Sequence, residues 1–303
     1  MANQAGIGID IGGTSIKYGI VNQAGRVYWE AKKPTNAQTS RQEVEQNIID
    51  TAKEAVQKAK ERGLAIVSIG LGTPGLVTKG GVVLGGADNL IDWNNVPLGR
   101  LLHTEIGLPT YVRNDADMMA IGEVYAGNTN ATTAIFITLG TGIGGAMIIN
   151  GELFSGHFGL GGELGVFPMM IDGRVQNWEE LASTSAMVNR YRSRSPNKDA
   201  DIDGQYIVQQ YRDHEPLAIE TINQSTQFIG MGIAGYINIF NPEMVIIGGG
   251  ISEAGDFFIE KIKASLPTYA LQACLQHVKI VPAKLGNRAG LIGAGMYGLL
   301  GLA

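Results

Sequence analysis

The sequence predicts an α/β fold built twice, as two lobes around a cleft. Three observations carry this. A strand, a glycine turn and a second strand open the chain at Ile7–Ile11, Gly12-Gly13 and Ile16–Val21. The same pattern returns in the same register over Thr138–Asn150, where Gly140 matches Gly12, Ile148 matches Ile20 and Asn150 matches Asn22. Around both copies, apolar runs of strand length are interleaved with helical patterns. In such a duplicated fold the two glycine turns face each other across the cleft, an arrangement suited to a triphosphate.

Each element follows from local chemistry. Paired glycines between core strands let backbone N–H groups approach a ligand, because no Cβ intervenes. Around Gly12 and Gly13, Thr14 adds a hydroxyl, Lys17 a cation and Asp10 a carboxylate able to hold a hydrated Mg²⁺. A lone Gly-Gly pair is also an ordinary tight turn, and the second copy decides between the readings. Gly25 to Lys33 reads as a third strand. Ser40 and Glu43 form a capping box for a helix with Val44, Ile48, Ala52, Ala55 and Val56 inward, closed by Gly63. Ala65 to Leu71 is a buried strand. The loop that follows, with Gly75 and Asn89, is either a binding edge or plain surface.

Pro97–Ile106 reads as a helix and Pro109–Val112 as a short strand. Arg113-Asn114-Asp115 then runs into a helix, so Asp115 is either a helix cap or a base kept ionised by the helix dipole. Gly140, Gly142 and Gly145 spell the dinucleotide fingerprint, which requires a following helix. Ala146–Gly151 instead is β-branched and ends in Asn-Gly, a hairpin signal, so a nicotinamide dehydrogenase is excluded. A glycine-dense loop over 156–165 contains Glu163, and Trp178-Glu179-Glu180 begins a helix. Residues 184–240 are mostly helical. Met244–Ile247 is a strand meeting Gly248-Gly249-Gly250, with a helix from about Glu253. Val278–Val281 is the last strand and Ala289–Leu300 the last helix.

Composition narrows the function. The 303 residues are 45% apolar and 17% charged, as in globular proteins, while 43 glycines are about twice the usual share. A net charge of -5 without a basic block argues against nucleic acid. The single cysteine, Cys274, excludes an internal disulfide and a multi-cysteine metal site. No signal-peptide pattern or membrane-length apolar run is present, so a soluble cytoplasmic protein is expected.

The set Asp10-x-Gly12-Gly13-Thr14-x-x-Lys17, Thr73-Pro74-Gly75, Asn89-Leu90 with Trp93, Asn114-Asp115, Leu139–Gly145, Gly162–Gly165 and Gly248-Gly249-Gly250 resembles the ROK family of sugar kinases over nearly the whole chain. The resemblance implies the actin/hexokinase-like (ribonuclease H-like) fold and an ATP-dependent hexose kinase. In it, Asp115 takes the proton from the sugar's 6-hydroxyl. Gly75, Asn89, Asn114 and Glu163 hydrogen-bond other hydroxyls, and Glu179 matches a further sugar-binding Glu, with neighbouring Glu180 leaving that register open. Asp10, Gly12, Gly13, Thr14 and Lys17, with Gly140, Thr141 and Gly142, hold the phosphates and Mg²⁺, which Asp10 reaches through water. Gly249 and Gly250 take the adenosine side.

The family architecture places residues 1–115 with 288–303 in a smaller lobe and 116–287 in a larger one, and a homodimer is expected. The chain departs from the family where a His and a cysteine run bind structural zinc. Val166 stands at the His position and Phe167–Trp178 holds no cysteine, so no zinc site is expected. Phe167, Pro168, Met169, Met170, Ile171 and Trp178 are expected to hold that loop as an apolar cluster. Glucose is the default substrate, with N-acetylmannosamine and β-glucosides as alternatives. The reading from another class is a non-enzymatic sugar-sensing regulator, although the first phosphate motif begins at residue 7 and leaves no room for a helix-turn-helix before it.

Overall fold

The computed structural model describes residues 4–128, 131–197, 201–250 and 255–302. The chain opens with β1 (Gln4–Ile11), β2 (Ser15–Val21) and β3 (Val27–Pro34), followed by α1 (Arg41–Glu61) and β4 (Ala65–Thr73). Short strands β5 (Leu76–Val77) and β6 (Val83–Gly85) precede α2 (Leu98–Ile106), β7 (Thr110–Asn114) and α3 (Asp115–Gly122). A π-helical turn over Glu123–Asn128 extends α3. The second half starts with β8 (Ala134–Leu139), β9 (Ile143–Ile149) and β10 (Glu152–Leu153). Next come the hairpin β11 (Pro168–Ile171) and β12 (Arg174–Asn177), then α4 (Trp178–Ala182), α5 (Thr184–Arg194), α6 (Gly204–Arg212) and α7 (Pro216–Phe240). It ends with β13 (Met244–Gly248), α8 (Asp256–Ser265), α9 (Gln272–Leu275), β14 (Lys279–Pro282) and α10 (Ala289–Tyr297).

The internal repeat is visible in topology. One sheet has the order β3-β2-β1-β4-β7 and the other β10-β9-β8-β13-β14, the same winding in both. In the first sheet β1, β4 and β7 are parallel, with Asp10 opposite Gly72, Gly72 opposite Arg113 and Thr73 opposite Asn114. Their carboxyl ends therefore lie at one level. In the second, β8, β13 and β14 are parallel, and Thr138 lies opposite Gly248. The Gly140–Gly145 stretch leads into strand β9, not a helix, as the Asn150-Gly151 turn with its positive φ angles requires. The expected start of a helix at Glu253 lies outside the described residues, and α8 begins at Asp256.

Two compact units emerge: Met1–Thr132 with Ala146–Gly162 and Lys284–Ala303, and Thr133–Gly145 with Glu163–Ala283. This division differs from one at 115 and 288 because α3 packs along α10. A Cβ on Gly122 would meet Ala289 O at 2.4 Å, and one on Gly293 would meet Met118 O at 1.7 Å. On the other side of α10, Cβ atoms on Gly6, Gly8 and Gly70 would lie about 2 Å from the backbone oxygens of Gly295, Leu291 and Ala294. Helix α10 is thus pressed backbone to backbone between the sheet and α3, and this contact accounts for part of the glycine excess. On the opposite face of that sheet, Ile7, Ile9, Ile11, Val44, Ile48, Leu71 and Trp93 belong to one buried cluster, while Val21, Leu291, Ile292 and Met296 form another at α10.

A side chain forced into such a contact moves backbone on both sides, and overpacking costs about 1–3 kcal/mol. Gly293→Ala should therefore lower the thermal unfolding midpoint or abolish soluble expression. Gly235→Ala, in α7 where a Cβ meets nothing within 4 Å, should leave the midpoint unchanged or raise it. Equal midpoints for the two variants would contradict this packing.

Candidate active site

The first unit gathers most of the expected site residues at the carboxyl ends of its parallel strands. Asp10 ends its apolar strand almost fully buried, 3.8 Å from Lys17 Nζ, its cross-strand partner on β2. Gly290 in the first turn of α10 packs on the Asp10 carboxyl, where a Cβ would stand 2.8 Å from Cγ. Burial pushes Asp10 up to about 6; the Lys17 ammonium pulls it down and the Asp115 carboxylate adds to the rise. Lys17 also donates to the Asn287 carbonyl at 3.1 Å. In the turn, Gly12 N–H donates to Ser15 O at 3.0 Å and Gly12 O accepts from the Thr35 hydroxyl at 2.6 Å. Thr14 is exposed beside it. Asn89 lies against Gly13, where a Cβ would be 2.9 Å from Asn89 Nδ2.

Asn114 is the N-cap of α3 and Asp115 its first residue, so the cap and base readings fall on neighbouring residues. Asn114 Oδ1 accepts from Ala116 N–H at 2.8 Å, while Nδ2 donates to Gly75 O at 3.0 Å. Each atom keeps one further hydrogen-bonding position. Gly75 has φ +95°, and a Cβ there would meet Gly85 O at 2.4 Å. Asp115 Oδ1 accepts from Ala116 N–H at 2.9 Å. Desolvation raises its pKa, partly offset by that N–H and by its own backbone N–H. Trp93 supports the site from below, donating Nε1–H to Thr73 Oγ1 at 3.0 Å.

The second unit holds the other expected residues. Gly140 N–H donates to Gly142 O at 3.0 Å, and Gly140 O accepts from Thr184 N–H at 2.9 Å. Gly249 has φ +86° and approaches the Leu139 backbone, where a Cβ would lie 2.3 Å from Leu139 O, so only glycine fits. Gly140 and Gly250 meet nothing within 4 Å at their Cβ positions. Bare backbone beside open space is what a nucleotide needs. A cavity of about 750 Å³ adjoins Gly250, lined by Thr184, Met187, Asp203, Tyr206 and Arg212. It was not foreseen, because α5 and α6 carry no motif.

Glu163 is exposed, just before Leu164, whose carbonyl accepts from Tyr236 OH at 2.6 Å. Glu179 and Glu180 separate clearly. Glu180 closes a capping box, accepting from Asn177 N–H at 2.7 Å, while Glu179 Oε2 accepts from Ile143 N–H at 3.2 Å.

The loop before α4 differs from expectation. Phe167, Pro168 and Met170 are exposed; of the expected apolar cluster only Met169 and Trp178 are buried. The segment is a β-hairpin whose alternation turns Pro168 and Met170 outward and Met169 inward, while Phe167 and Trp178 both lie against the Tyr236 ring. Asp172-Gly173, with φ of 50° and 74°, makes its two-residue turn; that dipeptide was the available signal.

These features define a class: a duplicated α/β fold of the actin-like ATPase type, with acidic groups at strand ends and bare glycine turns. The ROK family model matches residues 6–297, and the chain belongs to the ROK family. A glucokinase of Streptomyces coelicolor is 33% identical over 311 residues, covering 95% of each protein. A xylose repressor of Caldicellulosiruptor bescii is 31% identical, covering 95% of this chain and 76% of the repressor. The crystal structure of a ROK family glucokinase from Streptomyces griseus, in complex with glucose and AMPPNP, matches with TM-score 0.76 at 32% identity. That match covers 96% of this chain and 97% of the glucokinase.

Among the described residues no helix is long and apolar enough to cross a membrane, and no group of three or more His, Cys, Asp or Glu is placed to hold a metal ion. With Cys274 as the single cysteine of the sequence and none over Phe167–Trp178, metal analysis of the purified protein should find well under one zinc per chain. A zinc-selective chelator should leave its unfolding midpoint unchanged. Stoichiometric zinc whose removal lowers the midpoint would contradict this.

Proposed function

We propose that the chain is an ATP-dependent sugar kinase that phosphorylates the 6-hydroxyl of a hexose, glucose first among them. The observation that carries this is Asp115 beside its cap Asn114, at the strand ends that also hold Asp10. Relatives named glucokinase on both the sequence and the structure side support the same reading.

Asp115 accepts the 6-hydroxyl proton as that oxygen attacks the γ-phosphorus and the bond to the β-phosphate oxygen breaks. Burial raises its pKa, which makes the ionised carboxylate a better proton acceptor, while the N–H groups at the start of α3 favour the ionised form. Asn114, tied to Gly75 and to α3, offers its remaining donor and acceptor to sugar hydroxyls. Asn89, Glu163 and Glu179 supply the other polar contacts. The glycine turns at Gly12-Gly13 and Gly140–Gly142 offer N–H groups to phosphate oxygens. Gly249 and Gly250, with the cavity beside them, suit the nucleoside.

Asp10 fits a hydrated Mg²⁺, being a buried carboxylate with Lys17 as its ion-pair partner among the described residues and a glycine, Gly290, against it where a side chain would collide. Mg²⁺-ATP supplies the transferable phosphoryl group and the cation that neutralises its charge. A cytoplasmic, soluble, homodimeric enzyme is the form in which we expect it. The xylose repressor among the relatives keeps a second reading in view, a sugar-binding regulator without turnover.

The test is ADP release in a coupled assay with glucose, N-acetylglucosamine, N-acetylmannosamine, fructose, mannose and cellobiose. At least one sugar should raise ADP release far above the sugar-free rate. Asp115→Asn should lower that turnover by roughly 10²–10⁴ with little change in nucleotide affinity. Sugar binding without any stimulated ADP release would favour the regulator. A variant keeping more than a third of the turnover would return Asp115 to a structural role.

A further inference from the structure

We infer that Glu179 is a positioning residue for the second glycine turn: its carboxylate fixes the direction of the Ile143 peptide and thereby sets the turn for nucleotide. This rests on the nucleotide reading of Gly140–Gly142 and goes beyond the sugar contact assigned to the same side chain.

Three observations support it, all within one unit. Ile143 N–H, at the exit of the turn, donates to Glu179 Oε2 at 3.2 Å. A Cβ on Gly142 would lie 2.5 Å from that same oxygen, so the missing side chain at Gly142 is what admits the carboxylate. Gly142 has no unusual φ to explain its identity; close approach does. The entry to the turn is held from the same corner of the fold, because Gly140 O accepts from Thr184 N–H at the start of α5. Both tethers come from the α4–α5 junction, where Ser183 N–H donates to Glu179 O at 3.0 Å.

The junction itself is anchored. Trp178, next to Glu179, is fully buried, and its Nε1–H donates to Phe228 O at 2.8 Å. Gly232 on α7 leaves room for the indole, since a Cβ there would sit 2.2 Å from Trp178 Cε2. The position of Glu179 is therefore set by the core. A cavity of about 440 Å³ opens on Thr141, Gly142, Glu179 and Ser183.

A carboxylate beside a phosphate-binding turn is electrostatically adverse unless its charge meets a donor that the phosphate does not use. Ile143 N–H is such a donor. The other oxygen, Oε1, makes no hydrogen bond among the described residues, so it remains available to a sugar hydroxyl while Oε2 holds the turn.

The test compares wild type with Glu179→Gln, Glu179→Ala and Gly142→Ala. Two readouts are taken on the full chain: amide hydrogen exchange at Ile143 without ligand, and calorimetric titration with Mg²⁺-AMPPNP in the absence of sugar. Glu179→Ala removes the acceptor, whereas Glu179→Gln keeps one in the same place. Gly142→Ala displaces the carboxylate without removing it. Ile143 exchange should accelerate at least tenfold in Glu179→Ala and Gly142→Ala and stay within about twofold of wild type in Glu179→Gln. Nucleotide affinity should follow the same order, falling roughly tenfold for the first two.

Unchanged Ile143 exchange in Glu179→Ala would overturn the inference, as would wild-type nucleotide affinity in that variant. A Glu179→Gln variant as impaired as Glu179→Ala in both readouts would also overturn it. If wild type itself binds no AMPPNP, the kinase reading fails, and Ile143 exchange still decides whether Glu179 positions the turn. Should Glu179→Ala not fold, Gly142→Ala gives the same two readouts.

Discussion

The first unit depends on the contact of α10 with the strands beneath it and with α3 beside it. Glycines at 6, 8 and 70 on the sheet, and at 122 and 293 between the helices, let backbones meet without side chains between them. This close approach brings the first turn of α10 onto the Asp10 carboxyl through Gly290. It also fixes α3, and with it Asp115, against the same sheet. Both carboxylates are then desolvated, and Asp115 contributes to the rise of Asp10. Part of the glycine excess is the packing surface of one helix.

The second unit solves a related problem by different means. Its glycine turn is steered by hydrogen bonds from the α4–α5 corner, with Thr184 N–H on one carbonyl and the Glu179 carboxylate on one N–H. Trp178 holds that corner in the core. The segment before α4, where no zinc site is expected, is a hairpin. Its ladder and Asp172-Gly173 turn hold it through backbone geometry. Its outward residues Met170 and Val175, paired across the strands, remain exposed as a consequence.

Much of this was legible in the sequence where the signal is local. The repeat of strand, glycine turn and strand appears as two sheets with one winding order, because period and turn chemistry are written in neighbouring residues. Ser40 caps α1 as read, although Glu43 turns its side chain to Asn36 instead of completing the box. Asp10 and Asn114-Asp115 lie at strand ends for the same local reasons. What the sequence hid is nonlocal. Nothing near Gly290 announces that it faces Asp10, and nothing near Gly142 announces Glu179. In the stretch over 167–178 the apolar residues mask the strand alternation and the Asp172-Gly173 turn that make it a hairpin. A division at 115 and 288 keeps α10 with the first strands but parts it from α3, and the contact between those two helices is set by residues far apart along the chain.

The central claim is that Asp115 directs phosphoryl transfer to one hydroxyl of a hexose, and the product itself tests this most directly. A phosphorus NMR spectrum of the protein with ATP, Mg²⁺ and glucose should lose the γ-phosphate signal and gain a phosphomonoester split by two C6 protons. The Asp115→Asn variant should give no such signal over the same interval. A product split by the single anomeric proton, or inorganic phosphate alone, would contradict the account.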